Sequence, residues 1–318
     1  MRKILGCAAL LLCVVMSRAG CAADGGPVVV VTSLLPLYSI GSALAEGTAI
    51  DVRTVPDALP GMLQLPRALS RQNAESASQL RGADAVITLT SVWPDDPLFR
   101  EARAQNIRIV HIDAARSLAK GGSSVMLMAT PGSTMPRRIA PASGADSPYV
   151  WFSIANGIRM AEIIAADFER LAPADAGRIE KNLGGFSSEL LALRAEYDAK
   201  FLSLADQPVF SLTERFVYLT NEFGIYIEGY FLEDDVRWES ADYDKFSALL
   251  ADRGIRHVLH HWEPNEAVNA AVTRGGAKLL VLDDEENSKG ARPAKPDRRA
   301  YQMLLRTSLD VLYRALAG

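Results

Sequence analysis

The residues most able to do chemistry are few and poorly placed for one another. Cysteine occurs only at Cys7, Cys13 and Cys21, within or beside the first apolar stretch. A chain that loses that stretch has no disulfide, thiolate metal site or cysteine nucleophile. The histidines are His111, His257, His260 and His261. His111 lies inside an apolar run and reads as a satisfied core residue. In a strand, His260 and His261 face opposite sides, while His257 and His261 share a face but stand ~13 Å apart along it. No pair makes one metal site without bending the chain. There is no G-x-S-x-G elbow, no phosphate-cradling glycine loop after a strand and no His-Glu metal motif, which argues against an enzyme. Met126, Met128 and Met135 could offer thioethers to a soft ion. Their setting, the Gly-, Ser- and Pro-rich stretch 120–148, reads as a mobile surface loop instead.

The elements around these residues alternate. An apolar, β-branched run at 28–35 reads as a buried parallel strand, followed by a helix at 38–46 and a strand at 51–55. A helix at 75–82, a strand at 85–89, a helix at 97–105 and a strand at 107–112 continue the pattern. Two long helical periodicities then run with no strand between them. The first covers 153–171, and the second opens at Asp175 as N-cap and continues for about 30 residues, about 45 Å. The repeat is too short and irregular for a coiled coil. Strands at 209–212, 226–230, 256–261 and 278–282 follow, with helices at 214–223, 243–253, 266–274 and 301–316. The charged stretch 285–299 reads as a solvated connection. The expectation is an α/β fold: two lobes, each with a mainly parallel sheet flanked by helices, joined by one long backbone helix. The divisions are 24–171, 172–204 for the linking helix, and 205–318.

The amino terminus gives the compartment. Arg2 and Lys3 precede an apolar run from Ile4 to Met16, and small residues follow at Ala19, Gly20, Ala22 and Ala23. This is the layout of a signal peptide over 1–23, too short to span a bilayer comfortably. Cys21 could accept a lipid anchor, although Arg18 stands where such a signal has an aliphatic residue; cleavage after Ala23 is the alternative. Loss of the first 21 residues removes Arg2, Lys3 and Arg18, so 34 basic residues fall to 31 against 38 acidic ones, a net charge of −7. That balance argues against nucleic acid and anionic membrane as partners, since neither favours a net acidic surface. No later apolar stretch reaches transmembrane length. The expected product is periplasmic or otherwise extracytoplasmic, soluble or lipid-anchored.

Several segments in order carry a resemblance: Val31-Thr32-Ser33, Ala83-Asp84, Pro148-Tyr149-Val150-Trp151, Phe216 and Tyr218 in 214–224, Glu263-Pro264, and Asp283 after 278–282. With two lobes, a strut and an export signal, the chain resembles the periplasmic solute-binding proteins of zinc- and manganese-type ABC transporters. The resemblance implies a monomeric transport protein that grips its ligand between the lobes and delivers it to a membrane permease. It also implies a cleft site made by four side chains. Position by position these fall on Arg67, Tyr149, Thr213 and Asp283, with Glu214 available by a one-residue shift; only Asp283 keeps the family identity. Arginine cannot donate a lone pair to a cation, threonine is a weak ligand, and tyrosine coordinates well only when ionised. The expectation is a degenerate divalent site. The ligand then remains open between a metal ion (Zn, Mn or Fe, the last on a Tyr149 phenolate with Asp283) and a small organic or chelated molecule. An Arg67–Asp283 ion pair across an empty cleft, or a non-transporting accessory protein, are the competing readings.

Overall fold

The computed structural model describes residues 26–70, 74–119, 121–135, 145–205, 207–284, 286 and 299–318. The expected signal peptide with Cys21, and most of the 285–299 connection, lie outside the described residues.

Two four-stranded parallel sheets form the body of the molecule. The first contains β1 (Val28–Thr32), β2 (Ile50–Thr54), β3 (Ala85–Thr88) and β4 (Val110–Asp113) in the order β2-β1-β3-β4. The second contains β5 (Val209–Ser211), β6 (Ile227–Tyr230), β7 (His257–His260) and β8 (Lys278–Val281) in the order β6-β5-β7-β8. Every residue of β3 and β7 is buried, as expected for central strands covered on both faces. Around the first sheet lie α1 (Leu35–Leu44), α2 (Leu65–Ser70), α3 (Ala74–Arg81) and α4 (Leu98–Gln105). Around the second lie α7 (Val217–Glu222), α8 (Ser240–Asp252) and α9 (Glu266–Arg274).

Between the sheets run α5 (Ile154–Leu171) and the 27-residue α6 (Ala176–Leu202). The two-lobed α/β architecture with one long joining helix is therefore the observed one. Asp175 precedes α6 but makes no side-chain cap there. Its carboxylate instead accepts the Ala49 N–H at 2.7 Å, tying the helix entry to β2. Asn182, early in α6, donates to the carbonyls of Leu44 and Glu46, while Tyr197 and Phe201 near its end pack on Phe223. The helix thus touches the first lobe at its start and the second at its end.

Helix α5 starts at Ser153, whose side chain accepts the Asn156 N–H at 3.1 Å. Two of its other free N–H groups, on Ile154 and Ala155, donate to Glu222 of the second lobe at 2.7 and 3.3 Å. A carboxylate at a helix N-terminus satisfies free donors and is attracted by the positive end of the helix dipole. The last helix, α10 (Ala300–Ala317), returns across α6 and α1. Its Tyr301 seats against Gly157 of α5, where even a β-carbon would lie 2.5 Å from the Tyr301 hydroxyl, so glycine is required by close approach.

The described part of the 120–148 stretch is not a free surface loop. The Thr134 N–H donates to the Tyr230 carbonyl at 2.6 Å, the Tyr230 N–H returns a bond to Thr134 Oγ1 at 2.9 Å, and Met135 is buried in the second lobe's core. The reason is the unpaired edge of β6, whose backbone groups need partners.

Candidate functional site

The carboxyl ends of the second sheet's strands face the first lobe, and two short turns there carry the charged residues. After β5, Ser211-Leu212-Thr213 bends tightly. Ser211 Oγ donates to the Thr213 carbonyl at 2.6 Å, and Thr213 Oγ1 accepts the Arg215 N–H at 3.3 Å. Thr213 is thus buried as a turn former that aims Arg215. After β8, the chain turns through Asp284 and Glu286, with the Glu286 N–H donating to Asp284 Oδ1 at 3.2 Å.

These turns bring three charges into one place. Arg215 Nη1 donates to Asp284 Oδ2 at 2.6 Å and also to Glu286 Oε1. From the first lobe, the Tyr149 hydroxyl donates to the same Glu286 Oε1 at 2.7 Å, and the Met62 N–H donates to Glu286 Oε2 at 3.1 Å. Gly61 leaves room for that carboxylate, since a β-carbon there would meet Glu286 Oε2 at 2.8 Å. The Arg215 guanidinium lies 4.9 Å from the Tyr149 ring centre, a cation–π contact. Arg215 and Glu286 are only 9% and 4% exposed. The cluster joins both lobes, and it is dry enough for its charges to depend on one another.

The electrostatics follow. Burial drives the Tyr149 phenol well above its usual 10, and Arg215 only partly opposes this. Burial pulls Arg215 down, but Tyr149, Glu286, Asp284 and Glu214 outweigh it and hold the guanidinium protonated. Burial raises Asp284 despite Arg215 beside it. The charge of Glu214, the next residue before Arg215, acts on Tyr149, Arg215 and Tyr230 alike.

Of the five residues expected from sequence, Tyr149, Thr213 and Glu214 come together here. Asp283 stands next door, lining a solvent-open pocket of about 540 Å³ with His261, Trp262, Asp284 and Thr307. Arg67 is exposed on α2 and forms no ion pair among the described residues. The expected Arg67–Asp283 pair does not form; Arg215–Asp284 and Arg215–Glu286 stand instead. A ferric site on a Tyr149 phenolate would need an ionised phenol, which burial opposes.

Arg215 and Glu286 were not expected from sequence. The signal for Arg215 was a lone arginine after a buried strand, leading into the apolar segment 216–219. Glu286 sits in the stretch expected to be solvated, yet it is buried.

The histidines fall as expected in part. His111 hydrogen-bonds Thr88 at 2.8 Å and stacks on Phe99. Strand β7 ends at His260, one residue short of expectation, so alternation no longer separates its last two histidines. The rings of His260 and His261 come within 5.0 Å. Among the described residues, both ring nitrogens of His261 are buried without a hydrogen-bond partner. Burial, followed by the charge of Arg215, pushes His261 down to about 2. Because that lies below the ordinary 6.5, the neutral ring's stabilisation is complete above about pH 6.5 and is lost as pH falls toward 2. Asp96, raised to about 6 by burial, acts in the opposite sense. Wild type should therefore lose up to about 1.4 kcal/mol more per pH unit than His261→Asn between pH 6 and 4. Urea midpoints at three pH values check this, and parallel pH profiles contradict it.

Among the described residues, no group of three or more His, Cys, Asp or Glu side chains is placed to hold a metal ion. The carboxylates of Asp284 and Glu286 are held by Arg215, and that of Glu286 by Tyr149 as well. For a bare divalent cation, this donor set does not fit.

Two parallel-sheet lobes, one linking helix and a polar site at the strand ends between them define the class of two-lobed solute-binding proteins. The family described as ZnuA, zinc-uptake complex component A, periplasmic, matches residues 30–315, and the chain belongs to it. No curated protein gives a significant sequence match. Among solved structures, an FpvC mutant from Pseudomonas aeruginosa superposes with a TM-score of 0.72 at 21% identity, over 91% of this chain and 98% of that one. FpvC in complex with Mn2+ gives 0.68 at 20% identity, over 92% and 98%. The Zn(II)-bound ZnuA-like domain of Streptococcus pneumoniae AdcA gives 0.68 at 16% identity, over 92% and 100%. At these identities the likeness is one of fold.

Proposed function

We propose that the chain is an exported solute-binding protein of a metal-type ABC importer, taking its ligand between the lobes at a degenerate divalent site. It acts as a monomer outside the cytoplasm, by cleavage of 1–23 or by a lipid on Cys21, and hands its cargo to a membrane permease. The observation that carries this reading is the Arg215–Glu286–Tyr149 cluster, a polar bridge between lobes in a family of cleft binders. The cargo it favours brings its own donors or acceptors: a chelated metal, or a small molecule with a carboxylate able to exchange with Glu286 for Arg215 and Tyr149.

One observation favours a second reading, a non-transporting accessory protein that has lost ligand binding: the cluster's charges already satisfy one another. Melting temperature separates the two. A binder gains RT ln(1 + [L]/Kd), about 2.7 kcal/mol at a hundredfold excess over Kd, and an empty module gains nothing. Screened against free metals, metal chelates and amino acids, the protein is expected to be stabilised by a chelate or a carboxylate-bearing solute. No shift with any of them favours the accessory reading.

A further inference from the structure

We propose that Arg215 is a tethered counter-cation: its guanidinium latches the two lobes and fills the place where Asp284 and Glu286 would otherwise take a divalent cation. The inference rests on the cleft reading only for the location of the site.

The geometry is specific. Asp284 Oδ2 and Glu286 Oε1 both converge on one atom, Arg215 Nη1, the first at 2.6 Å. A cation centred where that nitrogen lies would face both carboxylate oxygens, as hard divalent cations require. Both carboxylates are buried, and Glu286 is fixed from the other lobe by the Tyr149 hydroxyl and the Met62 N–H, so it cannot simply turn to water. Two carboxylates face one guanidinium, with Glu214 adding a third negative charge to the field on Arg215. Buried charges are stable only when paired or bound to a metal. Without the guanidinium, the remaining groups form an anionic, partly dry pocket spanning both lobes. Carboxylate oxygens of this kind suit Mn2+.

The test is calorimetric titration of Arg215→Ala with Mn2+, read alongside the melting temperature. Wild type is expected to show no stoichiometric uptake. Arg215→Ala should bind one Mn2+ per chain at least tenfold more tightly than wild type, with a rise in melting temperature. Adding Glu286→Gln should remove that gain. Millimolar free guanidinium should compete with Mn2+ in Arg215→Ala and leave wild type unaffected. Arg215→Met, which keeps the apolar stem, serves if the alanine variant does not fold. If both fold only during refolding with Mn2+, the proposal stands; if Mn2+ does not recover them, it fails. It is also overturned if the variants bind Mn2+ no better than wild type, if the double variant binds as well as the single, or if wild type takes one equivalent with Arg215 in place. A chelate that stabilises wild type would leave the proposed function standing even then, and an unresponsive wild type would leave a Mn2+ gain in Arg215→Ala standing.

Discussion

Glu286→Ala is expected to lower the unfolding free energy by about 3–5 kcal/mol, the usual cost of removing one partner from a buried ion pair. The cost does not come from the value of the pair itself, since an apolar replacement of a whole buried cluster is often neutral. It comes from what is left behind. Arg215 keeps Asp284 alone, and the Tyr149 hydroxyl and Met62 N–H lose their acceptor between the lobes. Glu286→Gln retains an acceptor for one of them while turning a donor toward Arg215, so it should fall between wild type and alanine. Urea denaturation measures the effect, and a loss below about 1 kcal/mol for Glu286→Ala would mean the cluster is solvated in solution.

Trp151→Ala should cost about as much, 3–5 kcal/mol, for a different reason. Trp151 is fully buried, edge-on to Tyr149 at 5.3 Å and 6.0 Å from Phe152. Its indole N–H donates to the Asp284 carbonyl at 3.3 Å, and its own carbonyl accepts the Tyr301 hydroxyl at 2.5 Å. The residue therefore supports the acidic turn from below while tying down α10. Truncation leaves a large cavity beneath the cleft. Trp151→Phe keeps most of the volume and loses only the indole donor, so a loss of about 1–2 kcal/mol is expected. Equal losses for the two variants would show that the hydrogen bond, and not the packing, dominates.

Much of the fold could be read locally. The β-branched run of β1, the strand–helix alternation and the long periodicity of α6 are properties of neighbouring residues, and each element appears within a few residues of its expected bounds. Helix α2 was not expected: its six residues contain a proline and bury only Leu65 and Leu69, too little periodicity to register. The early end of β7 shows the limit of alternation, because a strand that stops at His260 imposes no side on His261.

The site was less legible. Tyr149 is separated from Glu286 by 137 positions, and no pattern on either side announces the contact. Position-by-position transfer from the family reached Thr213 and Asp283, but the groups that bond across the cluster stand at Arg215 and Asp284. A shift of one or two residues in a turn changes which side chain points inward. Glu286 was hidden by its neighbours, since a carboxylate in a run of charges looks solvated until a buried arginine is found opposite it.

On the proposed reading the Arg215 guanidinium stands between Asp284 and Glu286 where a bound cation would, and the protein's metal content tests that most directly. Wild-type protein dialysed against excess Zn2+ and Mn2+, then freed of unbound metal and measured by elemental analysis, is predicted to retain well under one equivalent of either. One tightly held equivalent per chain, with Arg215 unaltered, would contradict the account.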